Sequence, residues 1–396
     1  MKTFISTLAW LFFAAAFCRG EEQPADTGQD FSIQTKARPL VEGGIGDKPF
    51  ITGYGGRASI GGYVEAHFIW EREAGVTEEL TFDPRRMNLF AYSALSERVS
   101  FFTEVEFEEG GEEIKVEAAI IDFVIHEALA LRGGILLSPL GKFNLTHDSP
   151  RNEVNERPLV ATDLIGVALS EPGMGFFGSL YPRNKLRLTY EIYAVNGYND
   201  GLITKGAVTS IPLGKSSLGE DNNNQPAFVG RIAFIWPHIE SGISLHTGNY
   251  NHFEADGLQI DQARNLSIMA WDGEVELGGF DFRWEYAQAE VDIPSSLVGI
   301  YASRQRGAYA EIVCHFGHRY FKLLPDSYWS GVVRIEGVDF DRDIEGDMHH
   351  RLTLGLNFRP IPDTVFKLDY RRDWIKDRVN TLVHAAGISF GMATYF

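Results

Sequence analysis

One pattern constrains this chain more than any other: apolar and polar residues alternate in segment after segment, with the charges kept to one side. Leu186, Leu188, Tyr190, Ile192 and Ala194 share one face of an extended stretch whose other face is Arg187, Thr189, Glu191 and Tyr193. Phe280, Phe282, Trp284 and Tyr286 oppose Asp281, Arg283, Glu285 and Ala287 in the same way. So do Leu352, Leu354, Leu356 and Phe358 against Arg351, Thr353, Gly355 and Asn357, and Phe366, Leu368 and Tyr370 against Lys367, Asp369 and Arg371. Successive side chains of a strand point to opposite faces, so a period of two predicts strands with one apolar and one polar side. A soluble β-sandwich alternates too, around a core two sheets thick. Only the number of strands and their connections separate the two folds.

The pattern predicts strands near 58–70, 85–95, 97–108, 113–126, 128–138, 172–181, 185–196, 227–236, 239–248, 265–277, 280–291, 304–317, 328–339, 348–358, 364–374 and 381–396, sixteen in all. Tight connections at Ser96, Glu127, 182–184, 237–238, 278–279 and 359–363 alternate with long ones at 71–84, 139–171, 197–226, 249–264 and 292–303. Two depart from the rule: 109–112 is short on the long side, and 318–327 is long on the short side. Outer-membrane barrels sort their connections in this way, with short periplasmic turns and longer external loops. A sandwich has no reason to. The expected fold is therefore all-β, a closed antiparallel transmembrane β-barrel over 58–396, with 16 strands and 18 as the alternative. Composition agrees: the chain holds 41 Gly and 28 Phe, its mean hydropathy is only −0.13, and no stretch after residue 20 is long and apolar enough for a membrane helix. A barrel satisfies every backbone group and turns only half its residues to lipid, so near-neutral hydropathy is compatible with spanning a bilayer.

The two ends suggest the compartment. Lys2, the apolar run Leu8 to Phe17, and Cys18-Arg19-Gly20 before Glu21 have the zones of a secretory signal peptide over 1–20. Residues 21–57 read as a flexible periplasmic segment, too short to form a plug domain with a core of its own. At the other end Ile388, Phe390, Met392 and Phe396 give the last strand an apolar alternation. Phe396 is the expected assembly signal for the barrel-assembly machinery. The expected location is the bacterial outer membrane, with its lipids and lipopolysaccharide as surroundings.

Several short motifs then resemble a known family: Ile60-Gly61-Gly62-Tyr63-Val64-Glu65-Ala66-His67-Phe68, Glu104 to Glu108 before Gly110-Gly111, and Arg132-Gly133-Gly134-Ile135-Leu136-Leu137-Ser138-Pro139-Leu140-Gly141 followed by Asn144, His147-Asp148 and Arg157-Pro158. Arg334-Ile335-Glu336, Arg351 to Pro360 and Lys367-Leu368-Asp369-Tyr370 continue the likeness. Together, over about 58–396, they resemble the porin family that includes the phosphate-selective porins. The resemblance implies a pore of sixteen or eighteen strands, often a homotrimer, and says little about the solute.

The expected function is passive diffusion of small hydrophilic solutes or ions through the lumen; the alternative is a closed-lumen barrel serving as a structural anchor, adhesin or membrane enzyme scaffold. Pore-lining candidates are Glu65, Glu104, Glu106, Glu108, Arg187, Glu191, Arg231, Arg283, Glu285, Arg334, Glu336, Arg351, Lys367, Asp369 and Arg371. Acids match the cations, and loss of residues 1–20 removes Lys2 and Arg19 and takes the formal charge from −18 to −20. A phosphate ladder needs an excess of Arg and Lys along the axis, so the charge pattern favours a general or weakly cation-selective pore. Residues 139–171 stand where sixteen-stranded barrels commonly fold a loop inward; Asn144, His147, Asp148, Arg151, Glu153 and Arg157 are the constriction candidates. The row Glu104, Glu106, Glu108 is expected to form an electronegative wall, opposed by basic strands at 348–374.

Enzyme signals are poor. His126-Glu127 lacks the second histidine of a zinc-protease helix, and there is no Gly-x-Ser-x-Gly elbow. Cys314 and His315 point to opposite faces of a strand, which disfavours a metal site with His318. No cofactor, metal or nucleic-acid partner is expected.

Overall fold

In a computed structural model, the described residues are 41 and 58–396 apart from 217; the expectations for a signal peptide and for most of 21–57 lie outside them. Sixteen long strands close into one antiparallel barrel. They are β1 (Ala58–Glu73), β2 (Val76–Ala94), β3 (Val99–Glu108), β4 (Glu113–His126), β5 (Leu129–Leu137), β6 (Ser170–Arg183), β7 (Leu186–Val195), β8 (Ala227–Trp236), β9 (Ile239–Asn249), β12 (Asn265–Leu277), β13 (Phe280–Val291), β14 (Arg304–Phe316), β15 (Tyr328–Asp339), β16 (Met348–Ile361), β17 (Thr364–Lys376) and β18 (Leu382–Tyr395). A separate ribbon, β10 (Glu254–Ala255) with β11 (Leu258–Gln259), stands in the connection between β9 and β12. The barrel closes where β18 meets β1, in register from Tyr63 opposite Tyr395 to Glu73 opposite Ala385. Gly62 and Phe396 exchange backbone hydrogen bonds of 3.1 and 3.0 Å at the end of this seam.

Alternation places the side chains as expected. Ile121, Met174, Phe176, Ile192, Phe234, Ile243, Met269 and Leu354 stand exposed on the outer face, while Glu65, Glu104, Glu191, Arg231, Asp272, Glu285 and Lys367 are buried on the inner one. A barrel in water would reverse this preference, so the outside is suited to lipid.

The connection at 71–84 is corrected: β1 and β2 continue into a tall hairpin that turns at Ala74 and Gly75, whose φ values of 47° and 89° fit a two-residue turn of the primed kind. Pro84 sits at a bulge between the pairs Glu65–Arg86 and His67–Asp83, and β3 begins pairing with β2 only at Arg86. The missing N–H of Pro84 thus faces a free edge, where proline is tolerated in a strand. The apolar stretch Leu164 to Leu169, between β5 and β6, forms no strand. Val160–Ile165 is a helical turn, so the even count stands. The long segment between β5 and β6 is 138–169; residues 170–171, expected in it, belong to β6.

Within the barrel, Tyr63, Phe90, Phe102 and Ile120 from the wall cluster with Leu140, Leu164 and Ile165 of that segment. Val41 is buried in the same cluster. Gly134, at φ 130°, lets β5 pass the Ala119 carbonyl; a Cβ there would stand 2.0 Å from that oxygen.

Candidate functional site: the lumen and the segment that crosses it

The charged candidates share the inward parity of their strands, and so do the pairs between them. Arg86 on β2 reaches Glu65 of β1 at 3.0 Å and Glu106 and Glu108 of β3 at 3.3 and 3.7 Å. Arg231 on β8 bonds Glu240 of β9 at 3.0 Å and Asp272 of β12 at 2.5 Å. Arg283 on β13 contacts Glu274 at 2.7 Å, Asp281 at 3.1 Å and Glu311 at 3.5 Å. Arg334 lies 3.8 Å from both Glu311 and Glu336, and Arg351 2.6 Å from Asp373. Arg371 pairs with Glu71 and, at 3.5 Å, with Asp373. Arg132, not singled out from sequence, bonds Asp122 at 2.8 Å, lies 3.7 Å from Glu191 and stacks 4.4 Å over the Phe177 ring. Arg187 takes its place on the inner face of β7 with Thr189 and Glu191, the latter four residues on.

These pairs correct the expectation of an acidic wall facing a basic one. Glu104 accepts from Asn88 at 2.9 Å, Glu106 from Arg86, and Glu108 from Lys115 at 2.5 Å. The acids of β3 are thus matched from neighbouring strands, because a buried charge without a partner is too costly to keep. The ring order places only β2, β1 and β18 between β3 and β17; the strand across from β3 is β13. The basic strands therefore stand about a quarter of the way round.

The segment 138–169 bonds to inward-facing groups around much of the wall. Lys142 donates to Glu240 and Glu274 at 3.0 and 2.9 Å, the Gly141 amide to Ser244 at 2.9 Å, and the Phe143 amide to Glu285 at 2.9 Å. Ser149 donates to Glu65 at 2.5 Å, the Asn155 amide to Asp369 at 2.6 Å, and the Leu159 amide to Glu336 at 2.7 Å. Lys367 donates to the Ser149 carbonyl at 2.9 Å. Several wall carboxylates read as pore-lining thus hold loop backbone amides instead.

The constriction candidates divide by position. Asn144 ties the neck of the segment: its amide donates to the Ser138 and Leu169 carbonyls at 2.8 and 3.1 Å, and its oxygen accepts the Leu169 amide at 2.8 Å. His147 bonds the Asn144 carbonyl through Nδ1 at 2.9 Å and Glu117 through Nε2 at 3.2 Å. Asp148 accepts the Tyr395 hydroxyl at 2.9 Å. Glu153 meets Arg359 at 2.9 Å and the Asn357 amide at 2.8 Å. Burial pushes the Glu153 carboxyl up, but Arg359, Arg283 and His315 outweigh it and hold its pKa below the ordinary value. Arg157 lies 3.9 Å from Glu106, and Arg151 is exposed. A cavity of about 80 Å³ remains beside the segment, bordered by Lys142, Arg151, Glu153, Glu274, Arg283 and Arg334 among others. It has both signs of charge on its walls.

Glu104, His147 and Asp148 bring ligand-type atoms within 4.8 Å of one another, a grouping absent from the sequence reading. His147 meets the Asn144 carbonyl and the Glu117 carboxylate through its two nitrogens, so it links the segment to the wall. Further out, His315 bonds Ser330 and Asp281 at 2.9 and 3.1 Å, and His318 stacks on Tyr328.

Arg86, Arg132, Asp272, Glu311, Arg359 and Asp373 are inward charges that the sequence reading missed. Parity would have found them within their strands, except Arg359, which Pro360 disguised as a turn residue.

No family model matches the chain. A relative from Aquifex aeolicus (strain VF5), itself described as an uncharacterized protein, is 27% identical over 363 residues, 84% of this chain and 79% of the relative. Among solved structures, the chain is similar to an anion-selective porin from Comamonas acidovorans, with a TM-score of 0.56 at 11% identity, over 86% of this chain and 99% of that one. The trimer form of OmpT, an outer membrane protein of Vibrio cholerae, is similar with a TM-score of 0.52 at 8% identity, over 86% of this chain and 99% of the other. The outer membrane channel DcaP of Acinetobacter baumannii is similar as well, with a TM-score of 0.56 at 11% identity, over 87% of this chain and 99% of that one. At these identities the likeness establishes the fold, a closed barrel of sixteen strands.

Proposed function

We propose that the chain is an outer-membrane porin, a passive diffusion channel for small hydrophilic solutes or ions, general or weakly cation-selective. The observation that carries this reading is the inverted barrel itself: apolar outside, charged inside, with a polar cavity left beside the segment that crosses the lumen. That segment acts as the constriction, so what passes is set by Lys142, Arg151, Glu153, Glu274, Arg283 and Arg334. The working unit is a homotrimer, in line with the trimer form of one similar fold. The cleaved signal peptide over 1–20 and recognition of Phe396 by the assembly machinery belong to the same reading, as does descent from the phosphate-selective family as a divergent member. Inward arginines lie against carboxylates here, which supports a solute other than phosphate.

A second reading has its own support. The segment 138–169 is bonded so widely around the wall that a barrel with a closed lumen, serving as anchor or scaffold, fits the same contacts. Purified protein in a planar bilayer separates the two. Stepwise conductance supports the channel, and no current from folded, heat-modifiable protein supports the closed barrel. A reversal potential in a salt gradient then reads selectivity; an anion-selective sign overturns the cation bias.

A further inference from the structure

The connection between β14 and β15 is long on the side where the other turns are tight. It spans 317–327 and is internally braced: Tyr320 N donates to Gly317 O at 3.3 Å, Leu324 N to Phe321 O at 3.0 Å, and Ser327 Oγ to Leu324 O at 2.7 Å. Such bracing leaves little freedom to hide its apolar side chains, and it does not hide them. Leu323 is 95% exposed and Tyr320 76%. Water is a poor solvent for a group of this kind, so an occupant is called for.

The direction of the turn identifies the occupant. Phe321 packs edge-on against Phe358, 5.6 Å between centroids, and Phe358 packs at 4.8 Å on Trp329. By strand parity Phe358 and Trp329 point outward, as do the exposed Leu354 and Leu356 on β16. The turn is therefore folded onto the outer face of the wall, continuous with the apolar band, and it carries Arg319 and Lys322 beside Asp326. Aromatic and aliphatic side chains next to cations match the boundary where phospholipid acyl chains meet their phosphates.

We propose that 317–327 is a membrane-interface anchor, holding Tyr320, Phe321, Leu323 and Leu324 in the phospholipid leaflet at the turn end of the barrel, with Arg319 and Lys322 at the phosphates. The proposal rests on the membrane reading above. It gives this barrel a fixed foothold on one side of its circumference, beyond the girdle that the strands themselves supply.

Three single nitroxide labels, each introduced with Cys18→Ala and Cys314→Ala into the full chain, test it: Leu323→Cys on the turn, Leu354→Cys on the outer face of β16, and Asp363→Cys in the neighbouring tight turn. Proteins are checked for heat-modifiability and placed in vesicles of phosphatidylethanolamine and phosphatidylglycerol. Collision rates with oxygen and with a nickel chelate are then measured. The expected result is a Leu323 label richer in oxygen than nickel collisions, about 5–10 Å inside the phosphates, with Asp363 aqueous and Leu354 deepest. A lipid-facing Leu354 with an aqueous Leu323 overturns the anchor alone. A Leu323 label shielded from both reagents also overturns it, since a protein then covers the turn. An aqueous Leu354 overturns the membrane reading and the anchor with it.

Discussion

Replacing Asn144 by alanine removes three hydrogen bonds at the neck of the segment that crosses the lumen, two donated to Ser138 and Leu169 and one accepted from Leu169. Asn144 is fully buried, so water does not simply take its place. At about 1 kcal/mol for each net bond, the clamp is worth about 3 kcal/mol. Since about 1.4 kcal/mol is a tenfold change in an equilibrium constant, Asn144→Ala should raise the population of a detached neck by about a hundredfold. The rest of the segment keeps its bonds to Glu240, Glu274, Glu336 and Asp369, so the expected phenotype is fluctuation of the constriction with the barrel intact. In planar bilayers this reads as added current noise and frequent substates of higher conductance, at unchanged heat-modifiability. Asn144→Asp should be worse than alanine, because it turns a second oxygen toward the two carbonyls. A variant with parental noise, conductance and protease resistance of the segment refutes the clamp.

Other perturbations probe different parts. Arg86→Met removes the cation that the buried Glu65 and Glu106 share, and should cost about 3–5 kcal/mol in urea unfolding; adding Glu106→Gln should recover part of the loss. The Glu153 carboxyl is held below its unfolded pKa, so its bonds to Arg359 and Asn357 contribute fully above the ordinary value of about 4.3 and fade as pH falls through the lower, folded value. Conductance noise should therefore rise only in strong acid, and Glu153→Gln should remove that component; a transition centred near neutrality would assign it to another group. Deleting Phe396 breaks the paired backbone bonds with Gly62 and should reduce barrel yield in cells far more than the conductance of any barrel that inserts; normal surface levels count against this.

The strands were legible where one face meets lipid and the other the lumen. Ala227–Trp236, Asn265–Leu277, Phe280–Val291 and Tyr328–Asp339 match the alternation to the residue, since in that zone every second side chain must be apolar. The hairpin of β1 and β2 was not legible. Its upper part carries Glu71, Arg72, Glu73, Glu78 and Glu79, so both faces are polar and the period disappears, while Pro84 imitates a break. Candidate charges could be placed on the inner face by parity, but not paired. The partners Glu65 and Arg86, or Arg231 and Asp272, depend on strand register and on which strands are neighbours. Position around the ring is more remote still: whether β16 and β17 face β3 follows from the whole strand order, which no single segment encodes. Asn144 illustrates the same limit at one residue. Its polarity suggested contact with solute, whereas its bonds close a loop neck that exists only once 138–169 has folded.

The seam between β1 and β18 bears on how such a molecule is made. Every other pairing of wall strands joins strands next to each other in the chain or separated by one loop, whereas Gly62 and Phe396 meet across the full span of the barrel. Joining such distant segments has the largest loop-closure entropy of any contact here, so the cylinder shuts late. The partners of Lys142, Asn155 and Leu159 lie on β9, β12, β15 and β17, strands that follow the segment in the chain, so those bonds form only as the later wall strands arrive. The loop is thus fastened to the wall strand by strand along the chain, and the seam is the edge whose joining needs both ends of the barrel at once.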